Sequence, residues 1–440
     1  MAELRGSHGS QPGHLLTGLF GTPGLERLEV YRANGGFEGL ERALSMAPAA
    51  IIDEVKASGL RGRGGANFAT GLKWSFMAPP DGGPRYVVCN ADESEPGTTK
   101  DRYLMENSPL MLLEGVLIAC YAIQSHQAWI YIRGEYDRPL SLILAGIAEM
   151  RDAGILGPRP LGHEYALDIQ VYRGHGAYIC GEETALLESL EGKRAQPRPK
   201  PPFPAVKGAW GRPTLVNNVE TLSTVPWILR HGAAAYAALG TEKSKGTRLM
   251  SVSGNVRRPG VYEIELGTSF RHIIDELAGG VPEGRELKCF WPGGSSQPVL
   301  LPNQLDVGCD IEAVAAAGSA AGSAGCIVMD DSGCAVEAAL RLCEFYAVES
   351  CGKCTPCRVG GNWAVRVLRR VLDGVGDAGD LELLDRIQGS LQGGRCLCPL
   401  GDSAGAVILT LMTHFRPEFE EHALRGECTP RGRVGASARV

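Results

Sequence analysis

Three short apolar runs constrain this chain most: Arg85–Asn90 (RYVVCN), Ala128–Arg133 (AWIYIR) and Ala166–Tyr172 (ALDIQVY). Each is rich in β-branched or aromatic residues, and helical patterns near Tyr103–Ser125 and Pro139–Ala153 separate them. Strands that alternate with helices build parallel sheets, because only a long crossover returns the chain in the same direction. The segments after the three strand ends are NADESEPG, RGEYDR and RGHGAYICGEE. Open parallel sheets bind ligands outside the carboxyl ends of their strands. Glycines, amides and carboxylates collected there read as a ligand site rather than as three polar turns.

At 440 residues the chain is too long for one core, so three or four domains are expected. With 44 basic against 50 acidic residues it lacks the positive footprint of non-specific nucleic-acid binding. Pro109–Ile123 and Val314–Met329 come closest to a membrane span, but the first carries Glu114 and the second is diluted by Gly and Ser. Both fall short of the ~20 apolar residues a bilayer requires, so no transmembrane helix is expected. The start, MAELRGSHGSQPGHLL, has no secretory-signal pattern, which argues against reading the 14 cysteines as a disulfide framework. Residues 1 to about 25 and Arg425–Val440 read as mobile, the latter as a disordered tail. Thr247–Gly280 reads as strand, turn, strand and helix, Ala313–Gly325 as a connector, and Ala335–Leu424 as about four helices. Pro197–Pro204 (PRPKPPFP) is extended, either a stiff linker or a docking segment.

Seven cysteines crowd into Cys334–Cys398. Cys351-Gly-Lys-Cys354-Thr-Pro-Cys357 is a CxxCxxC run, and Cys398-Pro399 follows some forty residues later. Structural zinc usually draws on two CxxC pairs, whereas three cysteines at this pitch, a remote fourth and a terminal Cys-Pro favour a 4Fe-4S cluster. Zinc and unrelated buried thiols remain the alternatives. Cys396 competes for the fourth place. Cys398 is preferred for its proline, and because Asp402 or Ser403 can start a helix over 404–414 whose N-terminus favours an anionic cluster. The other ten cysteines, such as Cys89, Cys120 and Cys180, read as small hydrophobes.

Gly59–Phe68 (GLRGRGGANF) contains G-x-G-G without a GxGxxG before a helix, a pattern that flexible loops share. Lys73, Trp74 and Phe76 just beyond it supply a cation and aromatic faces suited to a nucleotide. Asn90–Gly97 places Asp92, Glu93 and Glu95 within four residues, as a solvated acidic turn or as partners for flavin edges and ribose hydroxyls. No base–nucleophile pair stands beside them, so hydrolysis is not indicated.

Glycine loop, acidic loop, Tyr178-Ile-Cys-Gly-Glu182-Glu183-Thr184, Pro197–Pro204, Asn217-Asn218-Val219-Glu220-Thr221 and CxxCxxC…C occur in this order. From about Ser58 to Glu421 the chain thereby resembles the NADH-binding flavoprotein subunits (F subunits) of bacterial respiratory complex I, NADH:quinone oxidoreductase. The resemblance implies a multidomain α/β fold: a Rossmann-like FMN- and NADH-binding domain (59–240), a ubiquitin-like β-grasp module with connector (241–333) and a C-terminal helical bundle carrying the cluster (334–424). A partly mobile segment (1–58) and the tail (425–440) flank them. It assigns FMN contacts to Gly62, Gly64, Gly65, Lys73, Asn90, Asp92, Glu93, Tyr178, Gly181, Glu182, Asn217 and Asn218. NADH would stack among Phe68, Phe76 and Phe203, with Lys200 and Glu183 on its ribose or phosphate side. Glu95 and Tyr178 would lie near the nicotinamide, and Cys351, Cys354, Cys357 and Cys398 would hold the 4Fe-4S cluster. Two positions depart from the family pattern. Asn67 stands where glycine is usual, but asparagine tolerates positive φ. His175 replaces a small residue, as a surface side chain or a modifier of flavin potential.

The implied chemistry is hydride transfer from NADH to FMN and single-electron transfer to the cluster, with no protein general base. Implied partners are the small 2Fe-2S subunit and the large multi-cluster iron–sulfur subunit, at the cytoplasmic side of the inner (plasma) membrane. The near alternative is the diaphorase subunit of an NAD-linked hydrogenase or formate dehydrogenase, which commonly carries further iron–sulfur domains not evident here. A non-catalytic, cluster-bearing scaffold is the other; the glycine loop, Lys73 and Glu182-Glu183 argue against it.

Overall fold

The computed structural model describes residues 14–428, 430, 432 and 433. The three apolar runs form β1 (Tyr86–Ala91), β2 (Gln127–Ile132) and β3 (Asp168–Arg173). A fourth strand, β4 (Thr214–Asn218), joins them in the order β3-β2-β1-β4, and every pairing is parallel. Sequence pattern gave β4 no strand signal: it is five residues long and lacks alternation. The chain runs outward from β1 to β3 and then jumps back across β1 to β4. The strand order therefore reverses between β1 and β4, the place where such sheets open a ligand crevice.

Between β1 and β2 lies the helix Pro109–Ala122, buried on nearly every side. Its membrane-like composition reflects a central position in the domain core. A Cβ on Gly115 would stand 2.0 Å from the Leu222 carbonyl oxygen, so only glycine lets the helix Val219–His231 cross this closely. Glu114, the charge that interrupts this apolar run, accepts from Tyr31 Oη at 2.6 Å and from the Phe37 and Leu40 amides at 2.9 and 3.0 Å. It fastens the helices Leu28–Ala33 and Glu38–Leu44 to the core. Residues 14–25, expected to be mobile, are packed instead. Leu15, Leu16 and Leu25 are buried, and Glu263 accepts from the Leu15 and Thr17 amides at 2.9 and 2.8 Å. The rest of that expected mobile stretch, 1–13, lies outside the described residues.

The second sheet has the order β6-β5-β8-β7: β5 (Thr247–Gly254), β6 (Gly260–Glu265), β7 (Leu287–Trp291) and β8 (Gly325–Asp330). A central parallel pair, β5·β8, flanked by antiparallel edges gives the β-grasp arrangement. The expected connector at 313–325 contains the end of a helix, Ile311–Ala316. Four helices follow: Ala335–Val348, Gly361–Leu372, Ala378–Leu391 and Leu400–Glu420. The last starts immediately after Cys398-Pro399, so Asp402 and Ser403 lie inside its first turns rather than starting it. The expected tail begins with structure: a helical turn through Arg425, then β9 (Glu427–Cys428) paired antiparallel with β10 (Gly432–Arg433). Its remainder, 434–440, lies outside the described residues. No helix among the described residues is long and apolar enough to cross a membrane.

Candidate functional site

The carboxyl ends of β1 and β4 lie side by side, with Cys89 opposite Asn217 and Asn90 opposite Asn218. The glycine loop folds over them as a closed hairpin: Gly62 N donates to Phe68 O at 2.8 Å and Thr70 N to Leu60 O at 2.8 Å. A Cβ on Gly64 would press against Asn218 Cβ at 3.0 Å, while Gly65, at φ +118°, opens onto free space. Asn67 takes φ 52° and donates from Nδ2 to Gly65 O at 2.9 Å, so asparagine keeps the loop turned. Arg63 anchors it from beneath. Its amide donates to Thr221 Oγ1 at 2.8 Å, and its buried guanidinium donates to Tyr236 Oη and to the Lys245 and Thr247 carbonyls at 2.9–3.0 Å.

The three carboxylates of the acidic loop diverge. Asp92 is buried: Oδ1 accepts from Ser94 Oγ at 2.7 Å, while Oδ2 has no partner in the protein. Burial pushes its pKa up to about 7. A buried acceptor left open at a strand-end crevice fits a donor from a bound group, as an isoalloxazine or ribityl edge provides. Asn90 Nδ2 donates to Gly181 O at 2.9 Å and binds the turn Tyr178–Gly181 to the loop. Glu93 points into the fold instead. Its carboxylate accepts from the Asp101 and Arg102 amides at 2.8 and 2.9 Å, starting the helix Lys100–Asn107, and from Tyr136 Oη at 3.0 Å. Glu95 reaches the β-grasp module, accepting from Ser296 N at 2.7 Å and from Tyr178 Oη at 2.6 Å.

Asn217 and Asn218 are likewise engaged within the protein. Asn217 Oδ1 accepts from Trp74 Nε1 at 2.8 Å, and Trp74 is fully buried rather than a platform for a nucleotide. Asn218 donates to Asp101 at 2.6 Å and caps the helix Val219–His231 through Glu220 N at 3.0 Å. Beyond the loop, Lys73 and Lys200 share Glu183 at 2.8 and 2.9 Å, and Lys200 also meets Glu182 at 3.1 Å. The two ammonium groups hold the Glu183 pKa down to about 2, overcoming its burial. The second oxygen of Glu182 caps the helix Glu183–Leu190 at the Thr184 and Ala185 amides. Phe68 and Phe76 are half-exposed, with ring centroids 6.1 Å apart. Phe203 is exposed on the proline block, which joins that side through Ala78 N to Ala205 O at 3.1 Å, and has no ring contact with the pair. His175 is an exposed side chain.

The structure brings the CxxCxxC loop against the Cys398 segment. Cys351, Cys354, Cys357 and Cys398 are all half-buried, and Leu397 N donates to Cys354 Sγ at 3.2 Å across the two segments. Cys396 is buried, and its Sγ would stand 2.5 Å from a Cβ on Gly401, under the first turn of the last helix. Tetrahedral zinc would draw its sulfurs to about 3.8 Å from one another. Among the described residues, no three of these four sulfurs lie within 4.8 Å of one another, so they are not drawn together to that spacing. The loop is fastened to the turn Tyr178–Gly181 and the segment beyond it: Tyr178 N donates to Glu349 Oε2 at 2.9 Å, and Gln196 Nε2 to Cys351 O at 3.1 Å.

Sequence reasoning missed the groups that organise the site from below. Lys100 Nζ lies 2.7 Å from Asp101 and 2.9 Å from Glu220, all three buried, and Glu220 also accepts Leu249 N at 2.8 Å from the β-grasp module. The one sequence signal was Glu220 within NNVET.

Residues 55–227 match the family described as Nuo51 FMN-binding domain, 249–300 the SLBB domain, and 337–422 the NADH-ubiquinone oxidoreductase-F iron-sulfur binding region. Over 402 residues (91% of this chain, 95% of the other) the chain is 49% identical to NADH-quinone oxidoreductase F subunit 2 of Rhizobium meliloti (strain 1021). It is 48% identical to the NADH-quinone oxidoreductase F subunit of Streptomyces coelicolor over 97% of this chain and 95% of that one. With the F subunit of Escherichia coli (strain K12) the identity is 45%, over 89% of each. Among solved structures, the NAD+-reducing [NiFe]-hydrogenase in its H2-reduced state superposes with a TM-score of 0.83 at 35% identity. That match covers 94% of this chain and 67% of the hydrogenase chain.

Proposed function

The chain belongs to the family of NADH-quinone oxidoreductase F subunits, and from that premise we propose how its own residues carry out the work. It is an NADH-oxidising flavoprotein of complex I with FMN and a 4Fe-4S cluster. FMN, when bound, supplies two-electron chemistry toward NADH and one-electron chemistry toward the cluster. The observation that carries the residue assignment is the unpartnered, buried Asp92 Oδ2 at the end of β1, beside the strand-order switch point and next to Gly181.

On this reading Gly62, Gly64 and Gly65 offer backbone amides to the flavin phosphate, and Lys73 offsets its charge. Asn90, Asp92, Tyr178, Gly181 and Glu182 line the flavin. Glu93, Asn217 and Asn218 act mainly by holding β1 and β4 together, because their side chains already have partners inside the fold. Asp92 keeps a proton at Oδ2 through part of the neutral range and so presents either a donor or an acceptor to the ring edge. Phe68, Phe76 and Phe203 stack against NADH, Glu183 and Lys200 meet its ribose or phosphates, and Glu95 with Tyr178 lies by the nicotinamide. Cys351, Cys354, Cys357 and Cys398 hold the cluster.

Other subunits of the complex are its partners. The finer reading is the small 2Fe-2S subunit and the large multi-cluster subunit, met on the cytoplasmic face of the membrane. Val348, Trp363 and Leu397 support a docking edge there, since all three are exposed beside the cysteine loop. The division into 59–240, 241–333 and 334–424 belongs to the same reading, with the helices from Leu28 to Ala57 packed into the first core.

The test is a low-temperature EPR spectrum of the anaerobic protein, loaded with FMN and iron–sulfide, before and after NADH. A cluster signal raised by NADH is expected. A signal raised by dithionite but not by NADH would refute the nucleotide-site assignment and leave the cluster assignment standing.

A further inference from the structure

Away from the cysteine loop, three ligand-type side chains converge in the interior. Cys334 stands four residues beyond β8 and caps the first bundle helix, accepting from Glu337 N at 3.5 Å. His422 follows the end of the last helix, and Cys428 lies in β9. All three are buried, at 4%, 1% and 3% exposure. Their two sulfurs and a ring nitrogen lie within 4.8 Å of one another, and Cys334 Sγ is 3.4 Å from His422 Nε2.

We propose that Cys334, His422 and Cys428 form a second metal centre, one that takes a zinc ion. Tetrahedral zinc, with sulfur near 2.3 Å and nitrogen near 2.0 Å, sets S···N at about 3.6 Å and S···S at about 3.8 Å. The triad meets this requirement with one S···N pair at 3.4 Å and all three atoms within 4.8 Å of one another. Charge supports the same ion. Zn2+ displaces the two thiol protons to solvent, and two thiolates with a neutral imidazole leave a site of zero net charge, which a dry interior tolerates. The fourth position falls to a water or a small anion.

The ligands come from three separate elements, so the ion ties the C-terminal ladder to the junction between the β-grasp module and the bundle. The 21-residue helix Leu400–Glu420 separates this centre from Cys398 by about 30 Å. The role is therefore structural and independent of the cluster.

The test is metal analysis with zinc-edge X-ray absorption on the full chain, purified anaerobically with its flavin and cluster. One zinc beside about four irons is expected, with two sulfurs and at least one nitrogen in its shell. Cys428→Ser and His422→Gln should each lower zinc occupancy at least tenfold while iron and flavin stay constant. Four irons with no zinc after equilibration with micromolar zinc would overturn the proposal. So would a four-sulfur zinc shell, zinc retained in both variants, or a Cys334–Cys428 disulfide in the anaerobic protein.

Discussion

Replacing Lys100 with methionine should damage this protein more than any change to its exposed charges. The ammonium is 1% exposed and stands 2.7 Å from Asp101 and 2.9 Å from Glu220, whose side chains are 4% and 0% exposed. Removing one partner of a buried ion pair leaves an uncompensated charge, which costs about 3–5 kcal/mol. Here two carboxylates are left, so the upper half of that range is expected. For a domain of this size each kcal/mol lowers Tm by about 2–4 °C, which puts the fall at roughly 8–20 °C. Asn218 donates to Asp101 at 2.6 Å, so the β4 end loosens too and flavin content should fall with stability.

The deficit should depend on pH in one direction. Burial already raises the Asp101 pKa against the pull of Lys100, and losing the ammonium raises it further. A carboxyl whose folded pKa lies above its unfolded value, about 4, stabilises fully below that value and loses the contribution as pH rises through the folded pKa. Lys100→Met should therefore lose most at pH 8 and least near pH 5, and Glu220→Gln in the same chain should recover part of the loss. Thermal melts followed by flavin fluorescence and circular dichroism across pH 5–8 measure this. A fall below about 2 °C, or a deficit independent of pH, would refute the account of a buried, paired triad.

Three further outcomes are expected. Glu95→Gln weakens the charge-assisted bond from Tyr178 Oη, by about 1 kcal/mol, so the KM for NADH should rise about fivefold with flavin content unchanged; loss of flavin would contradict the placement of Glu95. Cys354→Ala should keep most NADH–ferricyanide turnover and lose the NADH-dependent EPR signal, and a retained cluster signal would exclude Cys354 as a ligand. Gly115→Ala must push the Val219–His231 helix off a carbonyl 2.0 Å from the new Cβ, at about 1–3 kcal/mol; an unchanged melting curve would mean that the crossing yields freely.

What was legible in the sequence was what local pattern encodes. β1, β2 and β3 announce themselves by β-branched and aromatic runs, the cluster by its spacing, and the glycine loop by residues that only a close approach requires. β4 was silent because five residues carry too little pattern, although it forms half of the switch point. Glu114 looked like a polar interruption and Glu263 carried no signal, yet each gathers several N-terminal donors from more than 70 residues away, a purpose visible only in three dimensions. The same limit applies to Glu93 and Asn218. The resemblance marked them as flavin contacts, and their side chains also bond Asp101 and its helix, which position along the chain does not reveal.

On the proposed assignment, the seam between the nucleotide side and the cysteine loop would hold the two redox centres at a fixed separation. Tyr178 occupies the middle of it. Its hydroxyl donates to Glu95 and its amide to Glu349, and its ring meets the edge of Phe345 with centroids 5.2 Å apart. Glu349 lies two residues before Cys351, whose carbonyl accepts from Gln196 and Arg194 at 3.1 and 3.2 Å. Lys353, inside the CxxCxxC run, donates to the Pro197 carbonyl at 2.7 Å, where the proline block begins. These bonds bind the loop that carries three of the four cluster cysteines to the strand-end turn and to the segment that reaches Lys200 and Phe203. Electron transfer weakens steeply with distance, so on the proposed assignment this fastening, rather than any acid–base group, is what the fold would contribute between the centres. A domain that only docked partners would have no use for a tyrosine bonded at once to Glu95 in the acidic loop and to Glu349 at the entry of the cysteine loop.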